Sequence, residues 1–154
     1  MSKGNIKVGI TIGDFNGIGM ELIIKTFLDV RILENITPIV YGSSQIATFY
    51  RKELERNDFN FNKISNASGA KENKVNLICL WEEEVAVEIG KSTEVAGRYA
   101  FKSLEAATED LAAGKIDVLV TAPINKKNIQ SDKFNFPGHT EYLTKYSNAE
   151  DSLM

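Results

Sequence analysis

Four short apolar runs recur along this sequence, each closed by glycine, proline or a polar turn, with stretches of helical spacing between them. They are NIKVGITIG (5–13), TPIVYGS (37–43), KVNLICLW (74–81) and KIDVLVTAP (115–123). Each is nearly continuous in aliphatic residues rather than alternating, which is the pattern of strands buried on both faces. Alternation with helices predicts a mainly parallel sheet covered on both sides, a three-layer α/β/α sandwich. Ile10, Val40, Ile78 and Val120 are expected on its buried strands.

The intervening stretches support this. Residues 19–30, GMELIIKTFLDV, place Leu22, Ile23, Phe27 and Val30 on one helical face. Residues 44–57 do the same with Ile46, Phe49, Tyr50 and Leu54. The longest predicted helix covers 93–113, with Ala100, Leu104, Ala107 and Leu111 as its stripe. Ser92 or Thr93 is its cap and Gly114 its stop. Residues 57–73, rich in Asn, Ser and Gly, read as a surface excursion. The acidic triplet Glu82-Glu83-Glu84 reads as a solvated turn.

Composition narrows the function classes. With 154 residues and 43% hydrophobic content, the chain is long and apolar enough for a core of its own. A net charge of −3 argues against nucleic acid as a partner. No apolar run approaches the roughly 20 residues of a membrane helix, and the N-terminus lacks a signal-peptide h-region. The single cysteine, Cys79, cannot form an internal disulfide and reads as a buried, reduced thiol. These features together predict a cytoplasmic protein. With one His and one Cys, a zinc site built from this chain alone is not expected.

In a parallel sheet, ligands gather at the C-terminal ends of the strands. Three polar clusters fall there. GDFNGIG (13–19) follows the first strand; it has neither the G-x-G-x-x-G spacing nor a P-loop lysine. Its Asp14 is either a functional carboxylate or a cap for the next helix. TAPINKKN (121–128) follows the fourth run, and its Lys126 could meet a phosphate or carboxylate. FPGHTEYL (136–143) holds the sole histidine, His139, beside Thr140 and after a Pro-Gly turn. Glu141 either orients His139 or caps the helix that TEYLTKYS begins, the cap being the simpler role.

In order along the chain, GDFNGIGMEL, Gly90-Lys91, DVLVTAPINK and FPGHTEYL resemble the 4-hydroxythreonine-4-phosphate dehydrogenase family of pyridoxine biosynthesis. Phe15, Asn16 and Met20 stand where that family usually has Pro, Ala and Pro. The resemblance implies an isocitrate/isopropylmalate-dehydrogenase-like fold, a homodimer, and NAD-dependent oxidation of a small phosphorylated hydroxy-amino acid. It implies that His139 and Thr140 contact substrate, with Asp14 and Lys126 as possible further contacts. It also implies a divalent metal (Zn, Mg or Co) held by histidines beyond the GHTE motif, hence outside this chain. Family members run roughly twice as far. Residues 1–125 are therefore read as the N-terminal part of the α/β domain, and 126–154 as the start of a second domain cut in mid-structure. The chain alone is expected to be inactive. A sister dehydrogenase for phosphorylated four-carbon sugar acids (phosphothreonate or phosphoerythronate) is the alternative, and a non-catalytic phosphate-binding or assembly module the second.

Overall fold

The computed structural model describes residues 4–150. Five parallel strands form one sheet in the order β3-β4-β2-β1-β5. They are β1 (Ile6–Thr11), β2 (Ile36–Gly42), β3 (Asn62–Ile64), β4 (Asn76–Cys79) and β5 (Val118–Thr121). Helices α1 (Gly19–Phe27), α2 (Ser44–Glu53), α3 (Glu94–Ala112) and α4 (His139–Tyr146) connect or follow them. The three-layer α/β expectation holds. None of these helices is long and apolar enough to cross a membrane.

Parallel register puts paired residues on the same face of the sheet. Val8, Ile10, Val40 and Leu77 share one face and join the side chains of α1 and α2 in one core. Ile39, Tyr41 and Ile78 share the other and pack with Ala107 and Ile116 under α3. Ser43 caps α2, its Oγ accepting from the Ile46 amide at 3.3 Å, and Thr93 caps α3 in the same way. Gly114 takes the left-handed conformation expected of a helix stop.

Four expectations are corrected. The buried face of α1 is Met20, Ile23, Ile24 and Phe27, whereas Leu22 and Val30 are exposed. Val30 falls off the stripe because α1 ends at Phe27 and a 3-10 turn, Val30–Glu34, changes the rotation. The segment 57–73 is no simple excursion: it supplies β3, and Phe59 and Ala67 are buried. Its order depends on Asn76, fully buried, whose amide donates to the carbonyls of Pro38, Lys71 and Lys74. The same side chain accepts from Asn62 and from the Lys71 amide. Cys79 is half-buried, 3.0 Å from the Ser44 hydroxyl, rather than enclosed. Val120 is 50% exposed, because β5 is an edge strand covered only on the α3 side.

The chain beyond β5 folds back on α3. Phe134 and Tyr142 pack against Phe101 with ring centroids 5.7 and 5.9 Å away. Ile129, Ala100 and Leu104 belong to this third apolar cluster. Ring pairs in such tilted and edge-on geometry add to the burial of their area.

Leu104 is fully buried where α3 meets this cluster. Leu104→Ala should therefore cost about 2–5 kcal/mol in urea denaturation, through lost transfer energy and a cavity. Val95→Ala, on the exposed side of the same helix, should stay within about 0.5 kcal/mol of wild type. Equal costs for the two would contradict the packing of α3.

Candidate functional site

The ends of β1 and β5 lie side by side, and the loops that leave them form the site. Gly13 has φ +64, and a Cβ there would sit 2.1 Å from the Pro123 carbonyl oxygen. Only glycine allows both the conformation and the approach. The Asp14 amide donates to that same oxygen at 3.0 Å. Asp14 is buried; its carboxylate accepts from the Asn16 amide and from the Asn128 side chain, each at 2.9 Å. It is not a helix cap, since α1 has no side-chain cap. Its role here is to tie the β1 loop to the 121–128 loop.

The turn is held from two other directions. The Tyr50 hydroxyl, from α2, donates to the Phe15 carbonyl at 2.6 Å and lies 3.0 Å from that of Gly17. Burial, then the nearby acids led by Asp14, pushes the Tyr50 phenol up, so it remains a donor. Asn16, 1% exposed, reaches the segment before α3. Its amide donates to the Lys91 carbonyl and the Thr93 hydroxyl at 3.1 Å, and its oxygen accepts from the Glu88 amide at 2.8 Å. Asn128 in turn seats against α3, where Gly97 leaves room: a Cβ at Gly97 would sit 1.9 Å from the Asn128 carbonyl oxygen.

Between these loops lies a cleft of about 310 Å³, lined by Asp14, Asn16, Gly17, Lys91, Ser92 and Asn125 among others. Lys91 pairs with Glu88 at 2.9 Å on the surface. His139 and Lys126 do not line this cleft. They form a neighbouring corner. Gly138 is the N-cap residue of α4 and His139 its first residue. The Lys126 side chain and the Glu141 carboxylate both approach Gly138, at 3.8 and 3.5 Å from where a Cβ would stand. Among the described residues no hydrogen bond from Glu141 to the start of α4 is seen, so the expected cap is not made there.

His139 is half-buried, and its Nε2 has no hydrogen-bond partner among the described residues. Burial, and secondarily the Lys126 charge, lowers its pKa, so the imidazole is neutral at pH 7. Thr140 is half-buried beside it, with its carbonyl accepting from the Thr144 hydroxyl at 2.8 Å. Lys126 is exposed and makes no salt bridge among the described residues. An ammonium group next to a helix N-terminus favours an anion.

Of the site residues read from the sequence, the structure joins Lys126 to His139 and Thr140, and Asp14 to the adjoining cleft. Asn16 and Asn128 were missed. Only their distant partners distinguish them from ordinary loop asparagines.

The family model for Pyridoxal phosphate biosynthetic protein PdxA matches residues 34–154. The chain belongs to the PdxA family. It is 46% identical over 155 positions to the 4-hydroxythreonine-4-phosphate dehydrogenase of Bacteroides thetaiotaomicron, covering 100% of this chain and 42% of that protein. It is 34% identical to an Oceanobacillus iheyensis protein provisionally named D-threonate 4-phosphate dehydrogenase, covering 100% and 47%. The crystal structure of a 4-hydroxythreonine-4-phosphate dehydrogenase from Burkholderia phymatum superposes with a TM-score of 0.86 at 26% identity, covering 97% and 46%. The chain thus spans less than half the length of these PdxA-type relatives. Their names are those of dehydrogenases, so the PdxA family is enzymatic. Among the described residues, no group of three His, Cys, Asp or Glu side chains is placed to hold a metal ion.

Two measurements test this geometry. Asn16→Ala leaves the Glu88 amide without its acceptor, which should cost about 1–3 kcal/mol. It should also speed amide exchange in 88–93, and unchanged exchange there would disprove the tie. For His139, the folded pKa lies below the ordinary 6.5. The unfolded chain then binds more protons between the two values, so folding loses stability as pH falls through and below 6.5. His139→Gln should lose less stability than wild type between about pH 7.5 and 5.5. Parallel urea midpoints for the two proteins would refute the burial of the imidazole.

Proposed function

We propose that this chain is the N-terminal portion of an NAD-dependent dehydrogenase acting on 4-phosphooxy-L-threonine in pyridoxal phosphate biosynthesis. The reaction oxidises the secondary hydroxyl to a ketone, with hydride leaving the carbinol carbon and a proton leaving the oxygen. The β-keto acid then loses CO₂ to give 3-amino-2-oxopropyl phosphate. NAD, when bound, supplies the hydride acceptor. The single observation that carries the reading is the corner at the start of α4. There the Lys126 ammonium, with no salt bridge among the described residues, stands by a neutral imidazole whose Nε2 has no hydrogen-bond partner among them.

The residues of this chain would bind and orient. Lys126 supplies positive charge for an anionic substrate group. Neutral His139 can donate to, or accept from, a substrate oxygen at Nε2. The Thr140 hydroxyl offers a second contact. Asp14 holds the adjoining loops rather than reacting. Among the described residues no set of side chains fits the Zn, Mg or Co ion that the family resemblance implies, whose ligands that resemblance puts outside this chain. A homodimer and a cytoplasmic setting belong to the same proposal. The Oceanobacillus relative supports a second reading, in which the substrate is a phosphorylated four-carbon sugar acid such as D-threonate 4-phosphate.

Steady-state kinetics of the full-length dehydrogenase containing this segment test both. His139→Ala should lower kcat/KM roughly ten- to a hundredfold, the loss of one hydrogen bond to a charged group at about 1.5–3 kcal/mol. Thr140→Val should lower it too, with circular dichroism unchanged. Wild-type kinetics in both variants would sink the substrate-binding role. Faster turnover of D-threonate 4-phosphate than of 4-phosphooxy-L-threonine would select the second reading.

A further inference from the structure

The connection from β4 to α3, residues 80–93, has no regular structure and is mostly exposed. Its first half is held by Tyr99, which bonds Glu83, and by Gln45, which exchanges hydrogen bonds with the Val85 backbone at 2.7 and 2.9 Å. The half that reaches the cleft is held by Asn16. Its Oδ1 accepts from the Glu88 amide at 2.8 Å, and its backbone carbonyl accepts from the Gly90 amide at 2.8 Å. Its Nδ2 donates to the Lys91 carbonyl and the Thr93 hydroxyl, each at 3.1 Å. Its own amide donates to Asp14. Every polar group of this buried residue is thus spent on Asp14 or on 88–93. Because Thr93 also caps α3, the clamp fixes the connection to the helix and to the β1 loop together.

What the clamp holds in place suits an anion. Of the residues lining the cleft only Asp14 and Lys91 are charged. Both Asp14 oxygens are taken, one by the Asn16 amide and one by the Asn128 side chain. The Lys91 ammonium meets only Glu88, in a pair whose side chains are 71% and 42% exposed. Solvent screens such a pair, so an incoming anion displaces Glu88 at little cost. The Ser92 hydroxyl and the Asn125 Nδ2 have no hydrogen-bond partner among the described residues. The cleft therefore offers donors and no free carboxylate. We propose that Asn16 is a positioning residue: its clamp on 88–93 sets Lys91 and Ser92 in the cleft wall with Asn125, where they bind a phosphate or carboxylate group. Asn16 holds the Lys91 carbonyl and the Thr93 hydroxyl on either side of Ser92. With the backbone fixed there, binding has only side-chain rotations to order. The inference rests on the proposed dehydrogenase reading only for which ligand carries the anionic group.

The first test needs no turnover. The 154-residue chain is titrated with inorganic phosphate while the amide resonances of Lys91, Ser92 and Asn125 are followed. All three should shift together. Lys91→Gln should weaken binding about tenfold or more, the loss of one bond to a charged group. Asn16→Ala should weaken it at least about fivefold, and so should Asn16→Ser, which is too short to span from Glu88 to Thr93 and keeps a polar group if the alanine variant does not fold. Asn16→Ala added to Lys91→Gln should cost little more, because it acts through the lysine. Ile39→Val, buried under α3 and away from the cleft, lowers stability and should bind phosphate as wild type does. Circular dichroism checks that each variant is folded. The second test is steady-state kinetics of the full-length dehydrogenase containing this segment. Asn16→Ala should raise one KM with kcat little changed. A higher KM for the phosphorylated substrate assigns the subsite to that molecule, and a higher KM for NAD assigns it to the cofactor's pyrophosphate. Three results would overturn the proposal: no phosphate shift at these amides, wild-type phosphate affinity in both folded Asn16 variants, or full additivity with Lys91→Gln. A full-length protein that turns over neither substrate would instead refute the dehydrogenase reading, while the phosphate titration still decides the clamp.

Discussion

The close approach of Gly13 to Pro123 governs the rest of the site. Parallel pairing brings β1 and β5 to the same end of the sheet. The left-handed Gly13 then turns the chain so that the next amide donates to the Pro123 carbonyl. With that contact made, Asp14 faces Asn128 and Asn16 faces the segment leading into α3. Each tie runs from a buried polar side chain, Asp14 or Asn16, whose loss of a partner would leave an unsatisfied donor or acceptor. The cleft is the space these constraints leave between the loops.

Burial also decides which charges matter. The pairs Lys25–Glu21, Arg31–Asp29 and Lys91–Glu88 are exposed, and solvent screens them to little net value. His139 is different. Desolvation keeps its imidazole neutral, and the nearby Lys126 reinforces that. In the proposed reading, Lys126 would supply charge to an anion and the neutral ring a directional hydrogen bond.

Tyr99 shows the same logic in a structural role. It stacks on Trp81 with centroids 4.2 Å apart, and its hydroxyl donates to Glu83. That bond lowers the Glu83 carboxyl and raises the Tyr99 phenol. One member of an otherwise solvated acidic triplet thereby anchors the strand-to-helix passage before α3.

The parallel α/β fold, four of the five strands and the long helix were legible because strand and helix periodicities depend on neighbours in sequence, whereas β3 lies in a stretch that reads as a surface excursion. His139, Thr140, Asp14 and Lys126 were legible as candidates because turn glycines and prolines mark where chain ends meet. The roles of Asn16, Asn76 and Asn128 were not legible. Asparagine reads as a loop residue, and only partners between five and 114 positions away turn it into a tie. Likewise KIDVLVTAP reads as a buried strand, yet Val118 and Val120 are exposed. Apolar composition shows what a strand can bury, but which of its faces is covered depends on the elements packed around it. By itself the sequence determined the elements other than β3, their order and the loops that carry the site. The tertiary structure alone decided that Asp14 is a tie and not a cap, that His139 is neutral, and that β5 is bare on one side. Each of these depends on distance and desolvation between parts of the chain far apart in sequence.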